Sequence, residues 1–136
     1  MFKTIGLTAI ILAALITGSA FIQTYDLSKS IERGKEIYTT YCQNCHMMDG
    51  NGVSGAFPPL AKADYLEKPV ETFIDIILKG QSGEISVNSI KYNVQMPAQN
   101  YLTDEQIADV LNYTRNSWGN KSSVAVTPSQ VKKLRP

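Results

Sequence analysis

Hydrophobic residues recur with helical spacing in three stretches of this chain. In the first stretch, successive members of one face are three or four positions apart, namely Ile31, Gly34, Tyr38 and Tyr41. Ser28 precedes this face and belongs to the residue types that cap helix N-termini, so the spacing predicts a helix over residues 28–41. A glycine within a helix, such as Gly34, lowers helix stability by about 1 kcal/mol relative to alanine and therefore needs a packing reason. A close crossing with another helix at this position is the predicted reason.

Two further helices follow from the same spacing. The second begins at Pro69, a residue suited to a first helical turn, ends at Gly80, and buries a stripe made of Val70, Phe73, Ile74, Ile77 and Leu78. The third begins with a capping box of Thr103 and Gln106 and is predicted to continue to about Trp118. Its apolar face comprises Ile107, Val110, Leu111 and Thr114.

Between the second and third helices the hydrophobic period falls to two. The alternating positions are Ile85 and Val87 and then Ile90, Tyr92 and Val94. Asn88-Ser89 separates the two runs, so the pattern predicts a short β-hairpin whose second strand leads into Met96-Pro97. A polar, glycine-rich segment over residues 48–55 predicts a loop that leads to Phe57-Pro58-Pro59-Leu60.

The two ends of the chain differ from this body. Residues 1–20 combine a basic start at Lys3, an apolar run and the small residues Gly18-Ser19-Ala20, which is typical of an export signal peptide. Residues 5–22 also approach the length of a membrane anchor, so an uncleaved anchor is the alternative. Residues 21–27 are predicted to be a spacer and residues 28–118 the folded domain. Residues 119–136 are predicted to be a polar tail, in which residues 128–134 fit one helical turn.

Composition allows one small domain, because the chain has 136 residues and is 43% hydrophobic. Loss of Lys3 with the first segment leaves 13 − 1 = 12 bases against 12 acids. The charge is unevenly distributed, with 7 bases and 12 acids over residues 21–109 but 5 bases and no acid over residues 110–136. The basic tail is interpreted as a solvated end, since its few cations are too sparse to follow a nucleic acid backbone.

The sequence Cys42-Gln43-Asn44-Cys45-His46 is the C-x-x-C-H signature of covalent c-type heme attachment. The two-residue spacing lets both thiols add to the porphyrin vinyl groups from one helical turn, and His46 then becomes an axial ligand of the iron. Three alternatives are weaker. A thioredoxin-like pair needs a βαβ setting, a zinc site needs more than the two Cys and one His of this chain, and a structural disulfide leaves His46 unexplained.

The second axial ligand has to be sought among the four methionines, because there is no second histidine. Met47 and Met48 follow His46 directly and are tethered to its side of the porphyrin. Met96 remains, and Pro97 after it favours a rigid loop. The alternative is that Met96 is a core residue and the sixth position of the iron is open. A proline carbonyl, from Pro58 or Pro59, is expected to accept the Nδ1 hydrogen of His46.

These residues together resemble class I bacterial cytochromes c. The resemblance spans residues 28–118 and rests on Gly34-Lys35-Glu36-Ile37-Tyr38, the heme motif, Pro58, Met96-Pro97, and Val110 with Tyr113. It implies a mostly α fold of three to four helices wrapped around a covalent heme, with a short β-hairpin before the axial methionine. It also implies that the first and last helices cross with Gly34 against Val110 and Tyr38 near Tyr113. The carbonyl that accepts the Nδ1 hydrogen of His46 is then that of Pro58, with Pro59 as the alternative.

Residues 57–118, and Asn116-Ser117-Trp118-Gly119 in particular, look more like the heme domains associated with copper nitrite reductases and quinoprotein dehydrogenases. The predicted function is one-electron transfer in the periplasm between respiratory redox partners, by a monomer or small subunit and not by an enzyme. One alternative is a cytochrome subunit of a dehydrogenase or reductase complex, with the N-terminal segment as its membrane attachment. Another is a heme enzyme or gas sensor with a displaceable Met96.

Overall fold

The computed structural model describes residues 25–136, and the predicted signal peptide or anchor lies outside the described residues. The helices are α1 (Leu27–Tyr41), α2 (Gln43–His46), α3 (Val70–Lys79), α4 (Asp104–Thr114) and α5 (Pro128–Leu134), with a 3₁₀-helix at Asp64–Glu67. Two strands, β1 (Ile85–Val87) and β2 (Ile90–Tyr92), form one antiparallel hairpin. The predicted mostly α fold with a single hairpin is confirmed. Within residues 25–136, the helices are too short or too polar to span a bilayer.

The crossing of α1 and α4 organises the helices. A Cβ atom added to Gly34 would overlap the main-chain carbonyl of Asp109 and lie 2.8 Å from the Cβ atom of Tyr113. Glycine is therefore required for the two helices to approach this closely, as the sequence predicts. The nearest neighbours of Gly34 are Asp109 and Tyr113, which are one helical turn apart, and not Val110. Tyr38 lies beside Tyr113 as expected, with ring centroids 5.4 Å apart.

The N-terminus of α1 differs from the prediction. Asp26 is the N-cap, and its carboxylate accepts a hydrogen bond of 3.2 Å from the main-chain N–H of Lys29. Ser28, which the sequence suggests as the cap, is exposed within the first turn. Aspartate caps helices as well as serine does, and the hydrogen bond of Tyr25 to Asp109 fixes the preceding residue on α4, so the N-cap lies two residues before Ser28.

The C-terminus of α4 also differs, because the helix ends at Thr114 and not near Trp118. Trp118 has a positive φ of 54°, which turns the chain back so that its ring lies 4.9 Å from the ring of Tyr38. The side-chain amide of Asn120 donates a hydrogen bond of 2.8 Å to the carbonyl of Thr114. A side chain from outside the helix therefore supplies the hydrogen bond that a further helical turn would otherwise have donated to this carbonyl.

The hairpin lies where it is predicted and turns at Asn88-Ser89, but β2 ends at Tyr92, so Val94 of the predicted second strand lies outside it. Ile85 pairs with Tyr92 and Val87 pairs with Ile90, while Asn88 and Ser89 both have positive φ, as a tight hairpin turn requires. Val87 and Tyr92 are buried against Ala63 in a small second core.

Residues 119–136 are not the solvated end that their polar composition suggests. Val126 and Val131 are fully buried in the main core, and α5 packs against α3 and α4. Asn112 holds the segment that leads into α5. Its side-chain NH₂ group donates to the carbonyl of Val126 at 2.8 Å, and its side-chain oxygen accepts from the main-chain N–H of Val126 at 2.7 Å. The core therefore extends well beyond residue 118, the predicted domain boundary.

Candidate functional site

A mostly apolar cleft is lined by residues from α2, the 3₁₀-helix, α3, both strands, α4 and the loops between them. Its lining includes all of the site residues that the sequence predicts, namely Cys42, Cys45, His46, Pro58 and Met96. The remaining wall is largely hydrophobic and includes Phe57, Leu60, Phe73, Ile77, Val110 and Leu111. The cleft therefore combines thiol, imidazole and thioether groups with a surface suited to a large apolar ring system.

The two cysteines lie on one helical turn at the junction of α1 and α2. Cys42 ends α1 by donating its N–H to the carbonyl of Tyr38 at 2.9 Å, and its own carbonyl accepts the N–H of His46 at 3.0 Å. Cys42 is half-buried, and burial together with the neighbouring Cys45 raises the pKa of its thiol to about 11. Cys45 is exposed at the rim. Both thiols are therefore presented from one rigid turn.

The ring of His46 is oriented by the loop that follows it. Its Nδ1 lies 2.9 Å from the carbonyl oxygen of Pro58, so Pro58 and not Pro59 is the acceptor. Desolvation by burial lowers the pKa of His46, and the hydrogen bond to Pro58 partly opposes this effect. A neutral ring that donates from Nδ1 keeps its lone pair on Nε2, which is the arrangement found in metal-ligating histidines.

The glycine-rich loop serves this orientation by allowing a close main-chain approach. A Cβ atom added to Gly52 would lie 2.7 Å from the Pro58 carbonyl oxygen, and Gly52 has a positive φ of 61°. Its N–H also donates to the carbonyl of His46 at 3.0 Å. Gly52 therefore allows the segment carrying Pro58 to lie directly against the segment carrying His46.

Met96 is fixed through its main chain. It forms an isolated β-bridge with Gln81, with N–H to carbonyl distances of 2.9 and 3.0 Å in the two directions. A Cβ atom on Gly80 would lie 2.6 Å from the Met96 carbonyl oxygen, so the glycine that ends α3 also makes room for this bridge. Met47 and Met48 do not line the cleft, and Met48 is 78% exposed. Of these three methionines, Met96 is therefore the one that lines the cleft with His46.

Two features of the site were not predicted from the sequence. The bridge to Gln81 is a contact between residues 15 positions apart and has no local sequence signal. Trp118 packs over the buried Gly50 in the glycine-rich loop, and its indole N–H donates to the carbonyl of Met48 at 3.2 Å. The only tryptophan of the chain was a signal for a packing role, but its partners could not be inferred from spacing.

Comparison with known proteins agrees with this site. The family model for cytochrome c matches residues 31–118. The chain is 40% identical to cytochrome c-552 of Thermus thermophilus over 124 residues, which is 85% of this chain and 83% of that protein. It is 37% identical to the cytochrome c subunit of a quinone alcohol dehydrogenase of Gluconobacter oxydans, over 75% of this chain and 22% of that subunit. The gluconate 2-dehydrogenase cytochrome c subunit of Pantoea cypripedii is 31% identical, over 86% of this chain and 28% of that subunit.

The motif, the cleft and these matches agree on one cofactor, heme c, bound covalently through Cys42 and Cys45. They also agree on a role in electron transfer. The chain belongs to the cytochrome c family.

Proposed function

We propose that this chain is a periplasmic electron carrier whose heme iron is held by His46 and Met96. One observation carries the proposal, which is that both side chains line the same apolar cleft as the two cysteines. His46 is fixed through its ring, by Pro58, and Met96 is fixed through its main chain, by Gln81. When bound, heme c supplies a single iron that exchanges one electron between the ferric and ferrous states.

His46 is the proposed ligand on the side of the cysteines. The Pro58 carbonyl fixes the tautomer of the ring and directs the lone pair of Nε2 away from the loop. Because burial favours the neutral imidazole, little proton competition is expected at neutral pH. The same hydrogen bond makes the ring a more basic, and hence stronger, ligand.

Met96 is the proposed second ligand. A thioether is a soft donor that favours ferrous iron and raises the reduction potential relative to a second histidine. An iron held by both His46 and Met96 would have no free position for small molecules such as oxygen. This supports the role of a carrier and gives no support to an enzyme or a gas sensor.

The names of the relatives support two settings for this carrier. Cytochrome c-552 is matched along most of its length, which favours a separate protein that docks transiently with redox partners. The dehydrogenase subunits favour the alternative of a cytochrome subunit held in a complex. In either setting the partners are other redox proteins, and the first 20 residues are proposed to direct export or to attach the chain to the membrane.

The ligand assignment is tested by replacing Met96 in the heme-loaded protein. Met96→Ala should leave the heme covalently attached, abolish the charge-transfer band of methionine-ligated ferric iron, lower the reduction potential and allow the ferrous iron to bind carbon monoxide. Met48→Ala removes an exposed methionine outside the cleft and is the matched control. The assignment is wrong if Met96→Ala and Met48→Ala give the same spectrum as the unmodified protein.

Whether the chain is a separate carrier or a subunit of a complex is tested by isolating the native protein. N-terminal sequencing of the exported form distinguishes cleavage after residue 20 from an uncleaved anchor. Constant copurification with a dehydrogenase or reductase at fixed stoichiometry would replace the free-carrier proposal with the subunit alternative.

A further inference from the structure

The C-terminal segment ends on the loop that follows Met96. The guanidinium of Arg135 donates from Nε to the carboxylate of Asp104 at 2.7 Å, from Nη1 to the carbonyl of Asn100 at 2.9 Å, and from Nη2 to the carbonyl of Leu102 at 2.8 Å. All three acceptors lie within five consecutive residues. The matched family region ends at residue 118, so Arg135 lies outside it.

We call residues 97–103 the methionine loop, because they connect Met96 to α4. Hydrogen bonds fix the loop to the rest of the fold at three places, and two of its side chains also pack on the fold: Leu102 is buried in the main core, and the ring centroid of Tyr101 lies 5.8 Å from that of Tyr41. The bridge between Met96 and Gln81 fixes its beginning, and the N–H of Gln99 donates to the carbonyl of Ile77 at 2.7 Å near its middle. Arg135 fixes its far end. The first contact joins the loop to a residue two positions beyond α3, and the second joins it to α3 itself. The guanidinium of Arg135 ties the far end of the loop to the end of α5, next to Leu102, which shares a core cluster with Val131.

Arg135 is itself held firmly. Its main-chain N–H donates to the carbonyl of Val131 at 3.1 Å, and Val131 is fully buried in the main core. The side chains of Arg135 and Asp104 are 30% and 27% exposed, so the pair is partly shielded from solvent. An arginine is suited to this position because its planar fork donates to several acceptors at once, which a lysine ammonium does less well.

We propose that Arg135 is a positioning residue that holds the methionine loop closed and thereby keeps Met96 at its ligand position. The inference rests on the proposed function, in which Met96 binds the iron. The main-chain pairing with Gln81 and the contacts of the loop limit how far the Met96 segment can move, so we expect a displacement of this segment to shift the loop relative to α3 and α5. Removal of the Arg135 side chain takes three hydrogen bonds from the far end of the loop and increases the fraction of molecules in which Met96 is displaced.

The fraction of open molecules can be measured with a competing ligand. Imidazole binds ferric iron only where Met96 has left, so its apparent dissociation constant varies inversely with the open fraction. Arg135→Met, which keeps much of the side-chain length but removes every hydrogen bond of the guanidinium, should bind imidazole about tenfold more tightly than the unmodified holoprotein at the same pH. Arg135→Lys keeps the charge beside Asp104 and should lie between the two.

Two controls separate positioning from a general loss of stability. Lys133→Met removes an exposed cation from the same helix and should leave imidazole binding unchanged. Ile74→Val removes one methyl group from a fully buried side chain, so it should lower the unfolding temperature without changing imidazole binding. The inference is overturned if Arg135→Met binds imidazole as the unmodified protein does, or if Ile74→Val has an equal effect at an equal loss of stability.

Failure of the underlying function would look different. If Met96 were not a ligand, the unmodified ferric protein would lack the methionine charge-transfer band, and Met96→Ala would not tighten imidazole binding. A normal band, tighter binding in Met96→Ala and no change in Arg135→Met would retain the ligand assignment and reject only the role of Arg135.

Discussion

The buried carboxylate of Asp109 is predicted to contribute most of the polar stabilisation at the crossing of α1 and α4. Its side chain is 3% exposed and accepts four hydrogen bonds from three residues. Tyr25 donates to Oδ1 at 2.8 Å, Ser30 donates to Oδ1 at 2.5 Å, and Arg33 donates from Nε to Oδ2 at 2.6 Å and from Nη2 to Oδ1 at 2.8 Å. The substitution Asp109→Asn removes the charge and directs an amide group towards at least one of these donors.

The expected cost follows from the burial of the two partners. Breaking a fully buried ion pair costs about 3–5 kcal/mol, because one charge is left without a partner in a dry site. The Arg33 side chain is 44% exposed and can be solvated again, which reduces this cost. Ser30 is fully buried and cannot reach water. We therefore expect Asp109→Asn to lower the free energy of unfolding by about 3 kcal/mol.

The assay is denaturant unfolding of the heme-loaded protein, followed by far-ultraviolet circular dichroism. Glu105→Gln is the matched control, because Glu105 lies 3.4 Å from the same arginine but its side chain is 61% exposed. The control should cost less than about 0.5 kcal/mol. A loss of under about 1 kcal/mol in Asp109→Asn, or equal losses in the two variants, would refute the reasoning from burial.

Two other substitutions test the helix crossing and its surroundings. Gly34→Ala should cost about 3 kcal/mol in the same unfolding assay despite the better helix propensity of alanine, because the new methyl group overlaps the carbonyl of Asp109; a neutral result would contradict the close crossing. The hydroxyl of Tyr38 donates to the Met47 carbonyl at 2.6 Å, and burial raises its pKa above the ordinary value of 10.0. The stability that this pKa shift contributes is complete below pH 10.0 and is lost as the pH rises further. Tyr38→Phe should therefore reduce the fall in the free energy of unfolding above pH 10.0 when unfolding is measured at a series of pH values. An unchanged fall would mean that other groups cause it.

Much of the site could be predicted from the sequence because its chemistry is local. Cys42, Cys45 and His46 lie within one helical turn, and the spacing alone fixes their relation. The hairpin was predictable because period-two alternation and a turn dipeptide are local signals as well. Met96 could be selected by elimination, since the other described methionines follow His46 directly.

Long-range contacts were the features that could not be predicted. Val126 and Val131 lie in a mostly polar segment whose few apolar residues do not form an extended helical period, and Asn112 holds that segment against α4 through its hydrogen bonds to Val126. Asp109 is a charged residue outside the predicted apolar face of α4, yet its side chain is buried, and its partner Arg33 is 76 positions away. The choice of Asp26 over Ser28 as the cap is linked to the hydrogen bond between Tyr25 and Asp109 of α4, residues 84 positions apart.

The most direct test of the central claim is a proton magnetic resonance spectrum of the ferrous holoprotein with isotope-labelled methionine methyl groups. A methyl group bound over the centre of the porphyrin is shifted strongly upfield by the ring current. The proposed ligation predicts one such resonance, which disappears in Met96→Ala and persists in Met48→Ala. The absence of any shifted methyl resonance, or its persistence in Met96→Ala, would contradict the assignment of Met96 as the iron ligand.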